Sequence, residues 1–202
     1  MPSLGSPLDD AALDLLFREA RTANTFTDEP VSDELVQRIY DLVKMGPTAM
    51  NQQALRILAV KSKEAREQLV THMSPGNKAK TLSAPLVLVL AADIEFHTFL
   101  PRTFPPFPGA KASFDGNEKQ ADRESSARFN ATLAAGYVIM AIRSVGLAAG
   151  PMLGWNKEGV DATFFPDGRW RSVLVVNVGK PGPDAWKERL YRLSFDEAVK
   201  IV

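Results

Sequence analysis

Four short stretches of the sequence carry residue types that could bind a phosphate group and a flat polar ring. In the first, residues 20–26, Arg21 can pair with a phosphate, Thr22 can donate a hydroxyl group and Asn24 can contact a polar edge. Taken alone, these residues also fit a surface arginine that precedes an asparagine turn. A binding role for this stretch therefore depends on what the other three contribute.

The second stretch, residues 46–53, is rich in hydroxyl and amide side chains. Its candidate ligand contacts are Thr48, Asn51 and Gln53. Asparagine and glutamine each present a donor and an acceptor side by side, which suits the edge of a uracil-like ring.

The third and fourth stretches add positive charge and glycine. Asn77 and Lys80 place an amide and a cation on one short segment. Residues 150–155 include two glycines, which let a backbone approach a flat ring closely and direct its N–H groups at it. A basic tail follows, with Lys187, Arg189 and Arg192.

The composition excludes several other kinds of site. Basic and acidic residues are equal in number, 24 of each, so the basic surplus that a nucleic-acid or membrane-surface binder needs is missing. Cysteine is absent, which removes disulfides, thiolate metal sites and a cysteine nucleophile. Of the two histidines, only His97 is a minor candidate, so no metal site is expected. The phosphate loops of dinucleotide and nucleotide folds and the nucleophile elbow are absent as motifs.

The location is predicted from two further features of the sequence. No signal-peptide pattern is visible near the first residue, and no apolar run reaches the roughly 18 residues that span a bilayer. We therefore expect a cytoplasmic protein.

Hydrophobic periodicity predicts the elements that must position the four stretches. Helices are expected over 8–22, 32–45, 62–73, 121–146 and 156–165, with a last helical turn after Ser194. Strands are expected over 55–60, 85–93 and 172–179, whereas 74–80 and 148–155 are expected to be a loop and a turn. The few βαβ units favour an α+β domain spanning residues 1–202, with residues 181–202 as a C-terminal tail.

The segment 95–120 differs from its surroundings because it is rich in phenylalanine and proline without a regular period. So much apolar surface cannot stay exposed on a loop, so the phenylalanines either pack on the fold or cover a ligand pocket. The candidates for substrate contact are Phe104 and Phe107, with Arg102 as an anchor for a substrate carboxylate.

Five motifs follow one another along nearly the whole chain. They are A-R-T-x-N at 20–24, G-P-T-x-x-N at 46–51, G-N-x-x-K-T-L-x-A-P at 76–85, G-L-x-x-G-P-M-x-G at 146–154 and R-L-x-R-L-S-F at 189–195. Together they resemble the nitroreductase superfamily of FMN enzymes. More narrowly, they are similar to the branch that contains the malonic semialdehyde reductase of pyrimidine breakdown.

The resemblance implies a nitroreductase-like fold, in which helices wrap a small mixed or antiparallel sheet and two chains form an intertwined homodimer. It implies FMN at the dimer interface, NADH or NADPH as reductant, and 95–120 as a lid beside the flavin. The family's FMN contacts correspond here to Arg21, Thr22, Asn24, Thr48, Asn51, Gln53, Asn77, Lys80, Pro151, Met152, Leu153, Gly154, Lys187 and Arg189. Among these, residues 48–53 would reach the flavin of the partner subunit.

The resemblance implies hydride transfer through flavin atom N5 to a small acceptor, with malonic semialdehyde reduced to 3-hydroxypropionate. No side chain is identified as a catalytic acid. A broad quinone, enone or nitro-compound reductase is the alternative, and a flavin-binding protein without turnover is another. Three departures from the family pattern, at Ala20, Leu55 and Leu153, argue against nitroaromatic reduction as the native role.

Overall fold

The structure, a computed structural model, describes residues 5–202, so the first four residues of the predicted domain lie outside the described residues. The helices are α1 (Asp10–Leu13), α2 (Asp33–Val43), α3 (Lys63–Thr71), α4 (Pro75–Ser83), α5 (Leu100–Thr103), α6 (Gln120–Ser144), α7 (Lys157–Phe164) and α8 (Phe195–Ala198). The strands are β1 (Leu55–Val60), β2 (Leu86–Asp93), β3 (Ala148–Met152) and β4 (Trp170–Gly179). No described helix is long and apolar enough to cross a membrane.

One antiparallel sheet holds the four strands in the order β1-β2-β4-β3. The central strand β2 is buried at every position, which explains its continuous apolar sequence. On one face of the sheet, alternate β2 residues pack against α2 and α6 around Val138 and Ile142. On the other face they pack with α3 and α7 around Leu69 and Trp155. The α+β prediction is confirmed.

Capping side chains start several helices where the sequence predicts them. The hydroxyl groups of Ser32 and Ser62 accept the backbone N–H of Leu35 and Ala65, at the starts of α2 and α3. Ser194 and Glu197 form the predicted capping box of α8.

Two segments differ from the sequence prediction. Residues 75–80 belong to helix α4, which Ser74 precedes, because Pro75 occupies a first-turn position, where its missing N–H costs nothing. Residues 148–152 form edge strand β3 instead of a turn, and Pro151 is tolerated there because an edge strand has one unpaired side. Both corrections concern candidate binding residues, which the structure therefore places on regular elements.

The first helix is shorter than predicted. It begins after the capping residue Asp9 and continues past α1 as one π-helical turn that ends at Arg18. Its apolar side chains are not buried in the single chain, since Leu15 and Phe17 are more than half exposed. In α2, Leu42 is also exposed, although the sequence pattern places it in the buried stripe.

The segment 95–120 is organised by short helical turns, which the sequence does not predict. They are Phe96–Phe99, α5, Ala112–Phe114 and Asn117–Lys119. Phe96 and Phe114 pack edge to face, and Phe104 joins the same cluster of apolar side chains at the start of α6. Most of these phenylalanines therefore serve packing, while Phe107 is half exposed.

Candidate functional site

The first candidate stretch lies directly on edge strand β3. The backbone N–H of Ala23 donates to the carbonyl of Ala149, and that of Asn24 donates to Ala185 of the tail, both at 3.0 Å. A Cβ at Gly150 would come within 2.7 Å of the carbonyl oxygen of Ala23, so only glycine allows this approach. The strand and the tail thus fix the backbone directly after Thr22, whose side chain is exposed.

A cluster of cations surrounds this stretch. Arg189 donates to the carbonyl oxygens of Arg18 and Ala20, which ties the tail to the loop that carries Arg21. Burial lowers the pKa of Arg143, and the charge of Arg189 lowers it further. Arg21 and Arg143 also line a cavity of about 230 Å³ beside β3.

A second part of the same cluster lies at the other end of β3. Burial lowers the pKa of Lys80, and the positive charge of Lys187 lowers it further. Within the described part of the chain, no carboxylate lies within 4 Å of Lys80, Arg143, Lys187 or Arg189. Arg21, by contrast, lies 3.4 Å from Glu19, and Asp14 and Glu19 also line the 230 Å³ cavity. The four cations without a carboxylate partner indicate a site that could bind an anion.

Helix α4 connects this cation cluster with the glycine-containing stretch. The side-chain amide of Asn77 donates to the carbonyl of Gly154 at 3.0 Å, and the backbone N–H of Ser74 donates to the same oxygen. Met152 is buried under α4, whereas Leu153 is 71% exposed and Pro151 is half-buried. The structure therefore brings the first and third stretches and residues 150–154 together along one edge of the sheet, whereas Arg192, among the described residues, donates only to the carbonyl oxygens of Leu190 and Tyr191 in its own tail.

The loop 47–53 lies at the opposite edge, before β1. The hydroxyl of Thr48 accepts the backbone N–H of Gln53, whose side chain donates to Asn51 at 3.1 Å. Met50, Asn51 and Gln53 have positive φ angles near 48°, a conformation that non-glycine residues rarely adopt. Such strain persists only where the surroundings hold the backbone.

The loop is anchored by its own buried residue Gln52 and by the buried Asn130 of α6, and neither was identified from the sequence as an anchor. Asn130 in α6 accepts the backbone N–H of Ala49 at 2.8 Å and donates to the side chain of Gln52 at the same distance. Ser126 donates to that glutamine oxygen as well. A polar residue such as Asn130 inside a mostly apolar helix is the signal that could have identified this anchor.

Since two strands separate β1 from β3, the loop 47–53 is about 14 Å or more from the β3 edge at the usual spacing of some 4.8 Å per strand. Within one chain, the second stretch therefore does not meet the other three.

A cavity of about 430 Å³ opens next to the loop 47–53, between α2, β1 and α5. Thr48, Gln53 and Arg102 line it, together with Phe99 and Arg56. Phe104 and Phe107 do not line it in the described chain. The side-chain amide of Asn51 donates to the carbonyl of Thr103 at 2.8 Å, so this loop and α5 are connected.

Behind the cavity lies a buried ion cluster that the sequence did not reveal. The Asp93 carboxylate is fully buried, with Arg56 Nη2 at 2.6 Å and Arg169 Nε at 2.8 Å. Hydrogen bonding to Asp93 raises the pKa of Arg169, while burial lowers that of Arg56 despite the same carboxylate. The described residues include no group of side chains that could hold a metal ion.

His97 occupies a separate charged pocket at the start of the 95–120 segment. Its side chain is 6% exposed, and Nε2 lies 3.2 Å from an oxygen of Asp115. The pKa of His97 is lowered, mainly by burial. The carboxylates of Glu95 and Asp115 act to raise this pKa, and the positive charges of Arg123 and Lys111 act to lower it.

Acidification is expected to lower the stability of the protein through His97. Its pKa is lower in the folded chain than in the unfolded one, so the unfolded chain binds the proton more readily. The contribution of His97 to the free energy of unfolding is complete above the pKa of the unfolded chain, about 6.5, and is lost as the pH falls from there through the pKa of the folded chain. Urea unfolding across this range should give a smaller decline for His97→Gln than for the native chain. His72→Gln is the control, and an equal decline in all three proteins would contradict the assignment.

Comparisons with known proteins agree on one family. Residues 17–180 match the model of the nitroreductase family. A Streptomyces coelicolor protein, by name a candidate NADH dehydrogenase/NAD(P)H nitroreductase, is 58% identical over 195 residues, covering 96% of this chain and 98% of its own.

Two crystal structures share the fold. One is a candidate nitroreductase of Bacillus subtilis, with a TM-score of 0.85 and 22% identity over 96% of this chain and all of its own. The other is a candidate nitroreductase of Exiguobacterium sibiricum in complex with FMN, with a TM-score of 0.80 and 16% identity over 98% and 99%.

Proposed function

The chain belongs to the nitroreductase family, and from this premise we propose that it is an FMN-dependent oxidoreductase that uses NADH or NADPH as reductant. The observation that carries the proposal is the group of basic side chains beside β3: Arg189 donates to the loop that carries Arg21, Arg21 and Arg143 line one cavity, and no described carboxylate lies within 4 Å of Arg143 or Arg189. Such a cluster fits a cofactor that carries a phosphate. The names of the relatives support the reductant, and the FMN complex of a structural neighbour supports the cofactor.

Arg21, Lys187 and Arg189 would hold the phosphate, with the hydroxyl of Thr22 as a further donor and Asn24 fixing the turn. Guanidinium groups suit this role because two parallel N–H groups can meet two phosphate oxygens. Arg189 has a second task, since it also binds the carbonyl of Ala20 and so positions the loop.

The ring would lie at the far end of β3, against Pro151, Met152, Leu153 and Gly154. When bound, FMN would accept hydride from the reduced nicotinamide and deliver it to an acceptor. Lys80 would stabilise the negative charge of the reduced ring, and its lowered pKa reflects the partly dry setting in which such a charge acts most strongly. Asn77 would orient the backbone of Gly154 through its 3.0 Å hydrogen bond.

We further propose that the site is completed by a second copy of the chain. The loop that contains Thr48, Asn51 and Gln53 has a strained backbone, with positive φ angles at Asn51 and Gln53. In one chain, the width of the sheet separates this loop from the other three stretches. A large apolar surface also supports a dimer. It includes Phe129, Leu133 and Tyr137, spaced four residues apart on α6, and the tail residues Trp186, Leu190, Tyr191, Leu193, Phe195, Val199, Ile201 and Val202. Exposed apolar stripes such as the one on α6 are typical of protein–protein interfaces.

The acceptor is a finer part of the proposal. Malonic semialdehyde stays a prediction from the sequence motifs, and the relatives' names support the alternative of nitro-compound reduction. Quinones and enones are chemically suited as well, since they accept hydride from N5 directly. The cytoplasmic location and the lid role of 95–120 also stay predictions.

The test of the proposed function is the absorbance spectrum of the purified protein. We expect a flavin absorbance band. With oxygen excluded, NADH or NADPH should bleach this band, and a quinone or a nitro compound should restore it. A flavin band that neither nucleotide bleaches would favour a flavin-binding protein without turnover. A colourless protein that does not take up added FMN would contradict the proposal.

Removing one phosphate-binding arginine is expected to weaken FMN binding by one to two powers of ten. A charge-assisted hydrogen bond in a partly buried site is worth about 1.5–3 kcal/mol. Fluorescence titration of the apoprotein with FMN would measure the effect in Arg21→Ala and Arg189→Ala. Arg38→Ala, which removes an exposed arginine from α2, is the charge-matched control. Unchanged affinity in both site variants, or equal affinity of the native protein for riboflavin, would exclude this phosphate site.

A further inference from the structure

Three arginines surround the ring of Phe99, which lines the 430 Å³ cavity beside β1; Arg56 and Arg102 line the cavity as well, whereas Arg169 does not. The guanidinium carbons of Arg56, Arg102 and Arg169 lie 5.2, 5.6 and 5.6 Å from the centre of the Phe99 ring. All three distances are within the range of an attractive cation–π contact.

The charges of these arginines are not balanced. Asp93 is shared by Arg56 and Arg169, so this buried cluster keeps one positive charge in excess. Arg102 forms no ion pair or hydrogen bond with any described residue. None of the residues that line the cavity is acidic, and its lysine, Lys44, is paired with Asp41 at 2.5 Å. The cavity is therefore net positive.

We propose that this cavity binds the carboxylate of the acceptor, with Arg102 as the group that contacts it. The inference rests on the proposed function and names its substrate class: small acceptors that carry one negative charge. The cavity is placed for this role because Thr48 and Gln53, which would reach the flavin, form part of its wall. An acceptor at the flavin could thus extend its carboxylate towards Arg102.

Each surrounding residue has a defined part in this arrangement. Phe99 is a positioning residue, because the cation–π contact of its ring with Arg102, at 5.6 Å, would hold the guanidinium at the cavity wall while its N–H groups stay available for a carboxylate. Arg56 donates to the carbonyl oxygens of Gln53 and Leu55 and pairs with Asp93. It would therefore add positive electrostatic potential to the cavity without binding the substrate carboxylate directly. Thr103 also lines the cavity, and its hydroxyl has no partner among the described residues. It offers a second donor.

The experiment compares two acceptors of nearly the same shape, 4-nitrobenzoate and 4-nitrobenzamide, with the FMN-loaded protein. The reducible group is identical, so a difference between them reports the charge. Arg102→Ala should raise the KM for 4-nitrobenzoate by about 10-fold to 100-fold, as expected for a lost charge-assisted hydrogen bond. The KM for 4-nitrobenzamide, the KM for NADH or NADPH and the affinity for FMN should change less than about twofold. Arg102→Lys should recover part of the loss.

Positioning by Phe99 has its own test. Phe99→Leu should raise the KM for 4-nitrobenzoate without changing kcat for 4-nitrobenzamide, and Phe99→Tyr should restore the native value. Equal effects of Phe99→Leu on both acceptors would indicate a structural role only.

A calorimetric titration with benzoate and benzamide tests the site without turnover. The native protein should bind benzoate more tightly than benzamide, and Arg102→Ala should remove the difference. No preference for benzoate, or a preference that survives Arg102→Ala, would overturn the proposal even if the flavin function holds. A rise in KM for NADH or NADPH in place of 4-nitrobenzoate would assign the cavity to the nucleotide phosphates and also overturn it. Failure of the proposed function would instead leave the benzoate preference intact while no nucleotide bleaches a flavin band.

Discussion

Leu133→Glu is expected to break the proposed homodimer and, with it, the binding of FMN. Leu133 is 42% exposed in the middle of the α6 stripe, and a symmetric interface would bury both copies of the new carboxylate. An unpaired buried charge costs about 3–5 kcal/mol, and it occurs twice in each dimer. Because the loop 47–53 would serve the flavin of the partner subunit, loss of the dimer should remove FMN as well. Light scattering and the flavin absorbance of the purified variant measure the two effects.

The matched control for this prediction is Leu82→Glu. Leu82 is 44% exposed, but it lies on α4, which packs with the other side of the sheet. This variant should remain dimeric. A native protein that is a stable monomer at micromolar concentration and still holds FMN would contradict both the dimer and the composite site.

Asp93→Asn is expected to lower the free energy of unfolding by about 3–5 kcal/mol, because it leaves the charges of Arg56 and Arg169 without a counter-charge. The carboxylate is completely buried, and it also accepts the backbone N–H of Glu95 at 3.0 Å. Removing one member of a buried ion cluster costs far more than removing an exposed pair. Urea denaturation followed by circular dichroism would measure the loss.

Asp167→Asn is the control for this second prediction. Its carboxylate accepts the backbone N–H of Arg169 at 3.1 Å, but the residue is exposed, so a loss below about 1 kcal/mol is expected. Comparable losses in the two variants would show that burial of Asp93 does not control the stability of the cluster.

Regular elements with a clear apolar pattern could be predicted from the sequence. The bounds of β1 agree with the prediction, and those of β2 agree apart from the first residue. Ser62 and the Ser194–Glu197 pair were recognisable because capping depends on residues three or four apart. Such local signals need no knowledge of the rest of the fold.

Elements that depend on distant neighbours could not be predicted. Strand β3 contains Gly150 and Pro151, which favour turns, yet pairing with β4 and contact with the Ala23 loop stabilise it as an edge strand. The positive φ angles of the 50–53 loop depend on Asn130, which is far away in the sequence.

The candidate site could likewise be predicted only where single residues or local motifs indicate its chemistry. Motifs predicted candidate binding residues, including Arg21, Lys80 and Arg189, because the chemistry of each side chain can be read from the sequence. Arg102 was proposed as an anchor from its residue type, and its contact with Phe99 became visible only in the structure. The Asp93 cluster joins three elements that no local pattern relates.

The exposed tail has a consequence for the lifetime of the protein in a cell. From Trp186 onward, its apolar side chains are largely uncovered in the single chain, and its backbone has few bonds to the body. Extended exposed segments of this kind are preferred substrates of proteases and of chaperones. In the proposed homodimer, a newly made chain would be exposed to proteolysis until it met a second copy, and that encounter is faster when more copies are present. Survival of the protein would then increase with its own abundance, which couples its turnover to its rate of synthesis.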